Sequence, residues 1–266
     1  MPTRETAPIG APCWVDLMTS DTERARAFYG DLLGWEAEDP QAEFGGYFNF
    51  TKDGQWIAGG MSTQDDTARP VIWSVYLATD DAQKTVDAAK DNGGQVIVHP
   101  MAVGDQGTMF VVTDPGGAAI GGWQPDTHPG FREFGQANTP SWFELWTRDY
   151  DASVAFYRNV FRWDTETMGD SPEFRYTTLK GPDGFLAGIM DASAFLPEGV
   201  PSHWSVYFGC DDADATLKRI GDLGGATVVD AEDTPYGRLA TATDPMGAQF
   251  KLVAPNEAMP ARDSSS

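Results

Sequence analysis

Two hydrophobic periods alternate along this chain, one of about 3.6 residues and one of 2. Over 21–33, Ala25, Phe28 and Leu32 fall on one face at i, i+3 and i+7, which predicts an amphipathic helix. Ser20 with Glu23 three residues on is a capping-box signature, and Gly34 is the expected stop. A second helix is predicted over 81–91, closed by Asn92-Gly93-Gly94 in a left-handed turn. Between and after them lie runs rich in aromatic and β-branched residues, read as strands at 47–51, 56–61, 71–78, 109–113 and 119–123. Asp114-Pro115-Gly116-Gly117 is a turn sequence that folds the last two strands into a hairpin.

The same pattern then returns. Trp14-Val15-Asp16-Leu17, Asp21 and Phe28-Tyr29 recur as Trp142-Phe143-Glu144-Leu145, Asp149 and Phe156-Tyr157, 128 residues later. Ala58-Gly59 recurs as Ala187-Gly188, Ser74-Val75-Tyr76 as Ser205-Val206-Tyr207, and the Asp114 turn as Asp244-Pro245-Met246-Gly247. Anchors in one order with so little drift do not arise from composition. The chain is a duplicated domain, with helices again expected at 149–160 and 212–222. The expected boundaries are a first domain over 1–126, a linker over 127–140, a second domain over 141–259 and a disordered tail over 260–266.

Composition narrows the class of protein. The chain has 41% hydrophobic and 22% charged residues, ordinary for a globular protein, so each half can bury a core without metal or disulfide staples. Cys13 and Cys210 are not equivalent in the two copies and are read as reduced, buried thiols. A net charge of −22 repels phosphate backbones and anionic lipids, which argues against nucleic acid or a membrane as partner. No apolar run reaches the roughly 18 residues of a membrane span, and 1–12 lacks the apolar stretch of a signal peptide. A cytoplasmic protein is expected, with monomer and homodimer both compatible.

An aspartate opening a helix, Phe-Tyr near its middle, a Leu-Gly-Trp exit and a late Asp-Pro-x-Gly hairpin together resemble the vicinal oxygen chelate superfamily. That group includes glyoxalase I, extradiol dioxygenases and bleomycin resistance proteins. The likeness is to its tandem actinobacterial members, often labelled glyoxalase-like, hydroxylase or culture-filtrate-antigen proteins. It implies an α+β fold of two tandem glyoxalase-like domains, each built from two βαβββ modules curling around a pocket. In metal-dependent relatives that pocket holds a divalent ion through His, Gln or Glu. By the same resemblance the ligand places fall at Trp14, Gly59, Ser74 and Gly121, then at Trp142, Gly188, Ser205 and Lys251. None of these is a good divalent ligand, so no metal and no cofactor are expected.

Chemistry must then come from other side chains. Strand alternation puts Asp16 on the face of Trp14 and Glu144 on the face of Trp142. Two roles stay open for each acid: a hydrogen bond to a neighbouring loop, or a proton carrier or cation partner within an aromatic pocket. Ser74 with Tyr76, and His203 with Ser205 and Tyr207, share a face and are candidate hydrogen-bonding groups, although a strand tyrosine is often simply core. Met61, Met190 and Trp123 are candidate apolar walls for a planar or hydrophobic ligand. His99 and His128 read as surface histidines. The second copy has Arg238 for Thr108, Lys251 for Gly121 and His203 for Ile72. Its pocket is therefore expected to be the more polar, suited to an anionic or carbonyl-bearing molecule.

Two functions follow. The first is metal-free binding or sequestration of an aromatic metabolite or antibiotic. The second is metal-independent acid-base catalysis of lyase, isomerase or cyclase type through Glu144 or Asp16, with His203 as a further candidate. Glyoxalase chemistry is a third, weaker reading, because its enediolate needs a Lewis acid for which no place is found.

Overall fold

The computed structural model describes residues 5–63, 70–182 and 184–257; the expected tail over 260–266 lies outside them. The first copy runs β1 (Pro12–Thr19), α1 (Thr22–Leu33), β2 (Glu36–Ala37), β3 (Phe48–Lys52), β4 (Gln55–Ser62), β5 (Ile72–Ala78), α2 (Ala82–Asp91), β6 (Gln95–Val103), β7 (Gly107–Thr113) and β8 (Ala119–Pro125). The second repeats it with β9 (Pro140–Thr147), α3 (Tyr150–Val160), β10 (Thr165–Ser171), β11 (Phe174–Gly181), β12 (Gly184–Asp191), β13 (His203–Gly209), α4 (Ala213–Asp222), β14 (Ala226–Thr234), β15 (Gly237–Thr243) and β16 (Gln249–Ala254).

Each copy makes one eight-stranded sheet, ordered β2-β3-β4-β1-β5-β8-β7-β6 and β10-β11-β12-β9-β13-β16-β15-β14. The two modules of a copy therefore pair with each other, joined where β1 meets β5 and β9 meets β13, both antiparallel. Within each module the first strand runs parallel to the last. Each sheet curls: Phe44, at the β2–β3 end, approaches so near that a Cβ on Gly104, past β6 at the other edge, would lie 3.1 Å from its ring.

The helices form where the apolar spacing puts them, with one change at the first cap. Asp21, not Ser20, caps α1 by accepting the Arg24 N–H at 3.0 Å, and Ser20 is exposed. Gly34 ends α1 with φ 70°; its counterpart Arg162 takes φ 58° without being glycine. Two first-copy strands fall outside the predicted runs. β2 is two residues long, and β6 carries Pro100 in an edge strand that pairs with β7 alone.

The sheets pack back to back, so the helix-bearing faces of both copies share one core. Val15, Leu17, Phe48 and Phe50 point into it, and Phe208 of β13 meets Trp35 and Trp73 at 5.2 Å. The contacts are exchanged reciprocally. Tyr29 of α1 donates to Asp244 in the second hairpin at 3.2 Å, and Ser153 and Tyr157 of α3 donate to Asp114 in the first at 3.2 and 3.5 Å. Trp73 and Trp204 donate to the hydroxyls of Tyr29 and Tyr157 at 2.9 and 2.8 Å. Burial pushes the Asp114 carboxyl up to about 6 and raises that of Asp244.

Residues 126–139 do more than connect the halves. Phe131 donates its N–H to the Cys13 carbonyl at 2.8 Å, and Arg132 donates its own to Trp56 at 3.1 Å. His128 is buried, correcting its reading as a surface residue: its ring stacks on Trp56 at 4.8 Å and meets Trp14 edge-on at 4.5 Å. Burial pulls its pKa down to about 4. Cys13 and Cys210 are buried, and the Cys13 thiol donates to the Tyr76 carbonyl at 3.4 Å.

Candidate functional site

With Val15 and Leu17 in the shared core, alternation turns Trp14, Asp16 and Met18 to the inner face of the curled sheet. The register lays out two rows there. Asn49, Gly59, Asp16 and Ser74 form one across β3, β4, β1 and β5. Trp14, Tyr76 and Gly121 form the next. The second sheet repeats them as Thr178, Gly188, Glu144 and Ser205, then Trp142, Tyr207 and Lys251. The four ligand places taken from the resemblance, Trp14, Gly59, Ser74 and Gly121, thus fall two in each of these adjacent rows, with Asp16 level with Gly59 and Ser74.

Each carboxylate is the hub of a hydrogen-bond network. In the first sheet the Tyr47 hydroxyl donates to Asp16 Oδ1 at 2.5 Å and accepts from Trp14 Nε1 at 2.7 Å, while Tyr76 also bonds Asp16. In the second, Tyr176 donates to Glu144 Oε1 at 2.8 Å and Tyr207 to Oε2 at 2.6 Å; Trp146 also donates to Oε2, and Trp142 bonds the Tyr176 hydroxyl at 3.0 Å. The glycines make room for the tyrosines: a Cβ on Gly59 would lie 1.8 Å from the Tyr47 hydroxyl, and one on Gly188 1.9 Å from that of Tyr176.

The sheets diverge in charge. Lys251 donates to Glu144 at 3.3 Å and to Tyr207 at 3.1 Å, with its ammonium 3.7 Å from the centre of the Trp146 ring. Burial pushes the Glu144 carboxyl up, but Lys251 and the tyrosine and tryptophan donors outweigh it and hold the group below its usual range. In the first sheet Gly121 replaces the lysine, and the Tyr76 ring fills the space over it. Burial therefore dominates there and raises Asp16 to about 6, with Tyr47, Tyr76 and Trp14 opposing it.

The other expected site residues divide. Met61 pairs with Met18 beside Asp16, and Met190 with Trp146 beside Glu144. Trp123 donates to the His128 carbonyl at 2.8 Å. His203 stays at the rim, bonded through Nδ1 to the Pro201 carbonyl at 2.9 Å and stacked on Trp146, without a hydrogen bond to Glu144. Arg238 is a correction. It shares the helix-side face with Ala240 and Ala242 and is held by Asp214 of α4 at 2.6 Å and Asp233 at 3.2 Å. Parity decides this, because Lys251 is opposite Thr241, an odd number of residues from Arg238.

Sequence reasoning missed Tyr47, Tyr176, Trp146 and Asn49. Tyr47, just before β3, and Tyr176, within β11, recur 129 residues apart, each over a repeated glycine of the next strand, and that recurrence was the available signal. The residues present do not fit a divalent metal. Each inner face offers one carboxylate, flanked by glycine and serine, and among the described residues no three His, Cys, Asp or Glu side chains are placed to hold a metal ion together. The tyrosines are poor substitutes, since burial and the neighbouring carboxylate push their pKa values well above the ordinary range and keep them neutral.

Paired βαβββ modules curling around a central acid define a protein of the vicinal oxygen chelate class. The chain belongs to the Glyoxalase/Bleomycin resistance protein/Dioxygenase superfamily, which it matches over residues 13–121 and 139–252. It is 38% identical over 260 residues to "Putative glyoxylase CFP32" of Mycobacterium tuberculosis, covering 96% of this chain and 98% of that one. It is 36% identical over 276 residues to the anthracycline biosynthesis protein DnrV of Streptomyces peucetius, covering 95% and 96%. Among solved structures, the Mn(II)-bound glyoxalase of Novosphingobium aromaticivorans is similar in fold, with TM-score 0.62, 17% identity, and coverage of 92% of this chain and 82% of that one. The 2,3-dioxygenase LapB of Pseudomonas sp. KL28 gives TM-score 0.65 at 12% identity, covering 98% and 96%. No described helix is long and apolar enough to cross a membrane.

Proposed function

We propose that the chain is a binding protein for small organic molecules, taking an aromatic or planar ligand against the inner face of its sheets without a metal. The observation that carries this reading is the donor set: where an ion would need several anionic or imidazole ligands, each sheet has one acid tied to tyrosine and tryptophan. Such a surface favours stacking and a few directed hydrogen bonds. The relative named for anthracycline biosynthesis supports an aromatic ligand class. A cysteine count of two, both buried, and a net charge of −22 suit a reducing, cytoplasmic setting. Calorimetric titration with a panel of aromatic natural products, on protein with its metal content measured, is expected to give micromolar or tighter constants in metal-free samples. Binding that requires a stoichiometric ion overturns the reading, as does a panel with no binder.

A second reading, acid-base catalysis of lyase, isomerase or cyclase type, is favoured by one observation. Asp16 is partly open to solvent and, at about 6, is matched to proton transfer near neutral pH. Glu144, compensated by Lys251, is the poorer proton carrier. Turnover abolished by Asp16→Asn with the fold intact would support catalysis. Glyoxalase chemistry, suggested by the name of one relative, finds no Lewis-acid site in the donor set.

A further inference from the structure

The second sheet carries its own organic cation. The Lys251 ammonium is buried against a carboxylate, a tyrosine hydroxyl and the face of an indole, three kinds of group that recognise an amine. The first sheet keeps an acid of the same kind in the same row but has Gly121 where that lysine would be. No Lys or Arg among the described residues pairs with Asp16 or with Glu38, whose carboxylate binds Asn49 at 2.9 Å and Trp56 at 2.9 Å. Among the described residues the neighbouring strands add no cation to this face: β4 brings Gly59 and Met61, β5 brings Ser74 and Tyr76, β8 brings Gly121 and Trp123, His128 is held neutral by burial, and Arg26 reaches only the main-chain carbonyls of Ala37 and Glu38.

A separate feature points the same way. Asn49, only 4% exposed, uses its amide N–H on Glu38 and leaves its Oδ1 without a donor. Asn49 shares the Asp16 row, separated from it only by Gly59. This face therefore presents an acid whose partners are all neutral donors and, beside it, a carbonyl oxygen with no donor at all. The two faces also differ in access. Glu144 is buried behind Trp146 and Lys251, whereas Asp16, Met18, Met61 and Ser74 are all partly open and Ile72 is exposed.

We propose that the first sheet binds its ligand through a protonated amine or similar organic cation seated against Asp16, in the role Lys251 plays for Glu144 in the second sheet. This rests on the small-molecule reading above and specifies the charge of the ligand and the half that takes it. Methionine and aromatic walls around one acid select an ammonium with an apolar body over a hydrated inorganic cation.

The test titrates the full chain with 2-phenylethylamine and with its neutral isostere 2-phenylethanol, in about 0.15 M salt to screen the acidic surface. The amine is expected to bind at one equivalent, at least tenfold more tightly than the alcohol, and Asp16→Asn should erase that advantage while alcohol binding persists. Lowering the pH from 7.5 to 5 in the wild-type chain should do the same, because Asp16 gains a proton while the amine keeps its own; this arm needs no variant. Equal binding of amine and alcohol overturns the charge preference and leaves the small-molecule reading standing. An amine advantage that survives Asp16→Asn overturns the assigned site. Binding of neither probe overturns the preference for an apolar ammonium, and if the aromatic panel also fails, the wider reading falls separately.

Discussion

The two sheets began as copies and now handle the same buried acid in opposite ways. In the second, Glu144 is neutralised internally by Lys251, roofed by Trp146 and closed off from water. In the first, Asp16 has hydroxyl and indole partners only, stays partly open and bears the cost of burial in its raised pKa. Two substitutions, glycine against lysine at 121 and 251 and methionine against tryptophan at 18 and 146, separate the two acids. An acid compensated from within supports structure, whereas one left uncompensated in an accessible pocket is available to a ligand or a proton.

The largest effect is expected from breaking the compensated pair. Lys251→Met leaves a buried carboxylate with no counter-charge and should cost about 3–5 kcal/mol in urea denaturation. Adding Glu144→Gln should recover most of that loss, since a neutral pair needs no counter-ion. If the double variant is no better than the single one, Lys251 acts by packing and the contrast with the first sheet fails.

Next comes the layer the copies kept identical. Tyr29→Phe and Tyr157→Phe each strand a buried indole N–H, of Trp73 or Trp204, and remove a donor to the other half's hairpin aspartate. Each should cost about 1–3 kcal/mol, by nearly equal amounts. A clearly unequal pair of losses would show that divergence reaches beyond the inner faces into the shared core.

Much of this was legible in the sequence, for identifiable reasons. Helix positions followed from apolar spacing, and the duplication followed from Trp14, Asp16 and their echoes Trp142 and Glu144. The acids were found because alternation places them beside tryptophans. Lateral information was missing: periodicity says which way a side chain points but not which residue lies level with it on the next strand. Hence the sequence does not show that Tyr47 lies over Gly59, and it suggests for Arg238 a pocket that its parity denies it. His128 was misjudged because a Pro- and Gly-rich linker sequence does not reveal that it packs across the end of a sheet.

The acids should also show opposite pH signatures. Asp16 is raised to about 6 in the fold, so its ionisation costs stability as pH rises from about 4 through 6. Asp16→Asn should therefore be more stable than the parent by about 1–2 kcal/mol at pH 8, with the gap closing by pH 4. Glu144 is held below its usual range, so its contribution is present at neutral pH and lost as pH falls through its folded value. Unfolding of Glu144→Gln should accordingly differ most from the parent at neutral pH, with the opposite sign. Stability curves of the same sign for both variants would contradict the contrast.

The smallest effect separates face from face. Arg238 lies three residues from Thr241, the partner of Lys251, yet its ion pairs with Asp214 and Asp233 lie on the helix side. Exposed pairs of this kind contribute little. Arg238→Ala is therefore expected to leave the urea midpoint unchanged within error, while Lys251→Met lowers it. Since both residues are basic and belong to adjacent strands of one hairpin, long-range electrostatics would affect them alike. Only the face each occupies distinguishes them, so a loss of stability in Arg238→Ala as large as that in Lys251→Met would mean that the buried inner surface extends past the row built on Glu144 and Lys251.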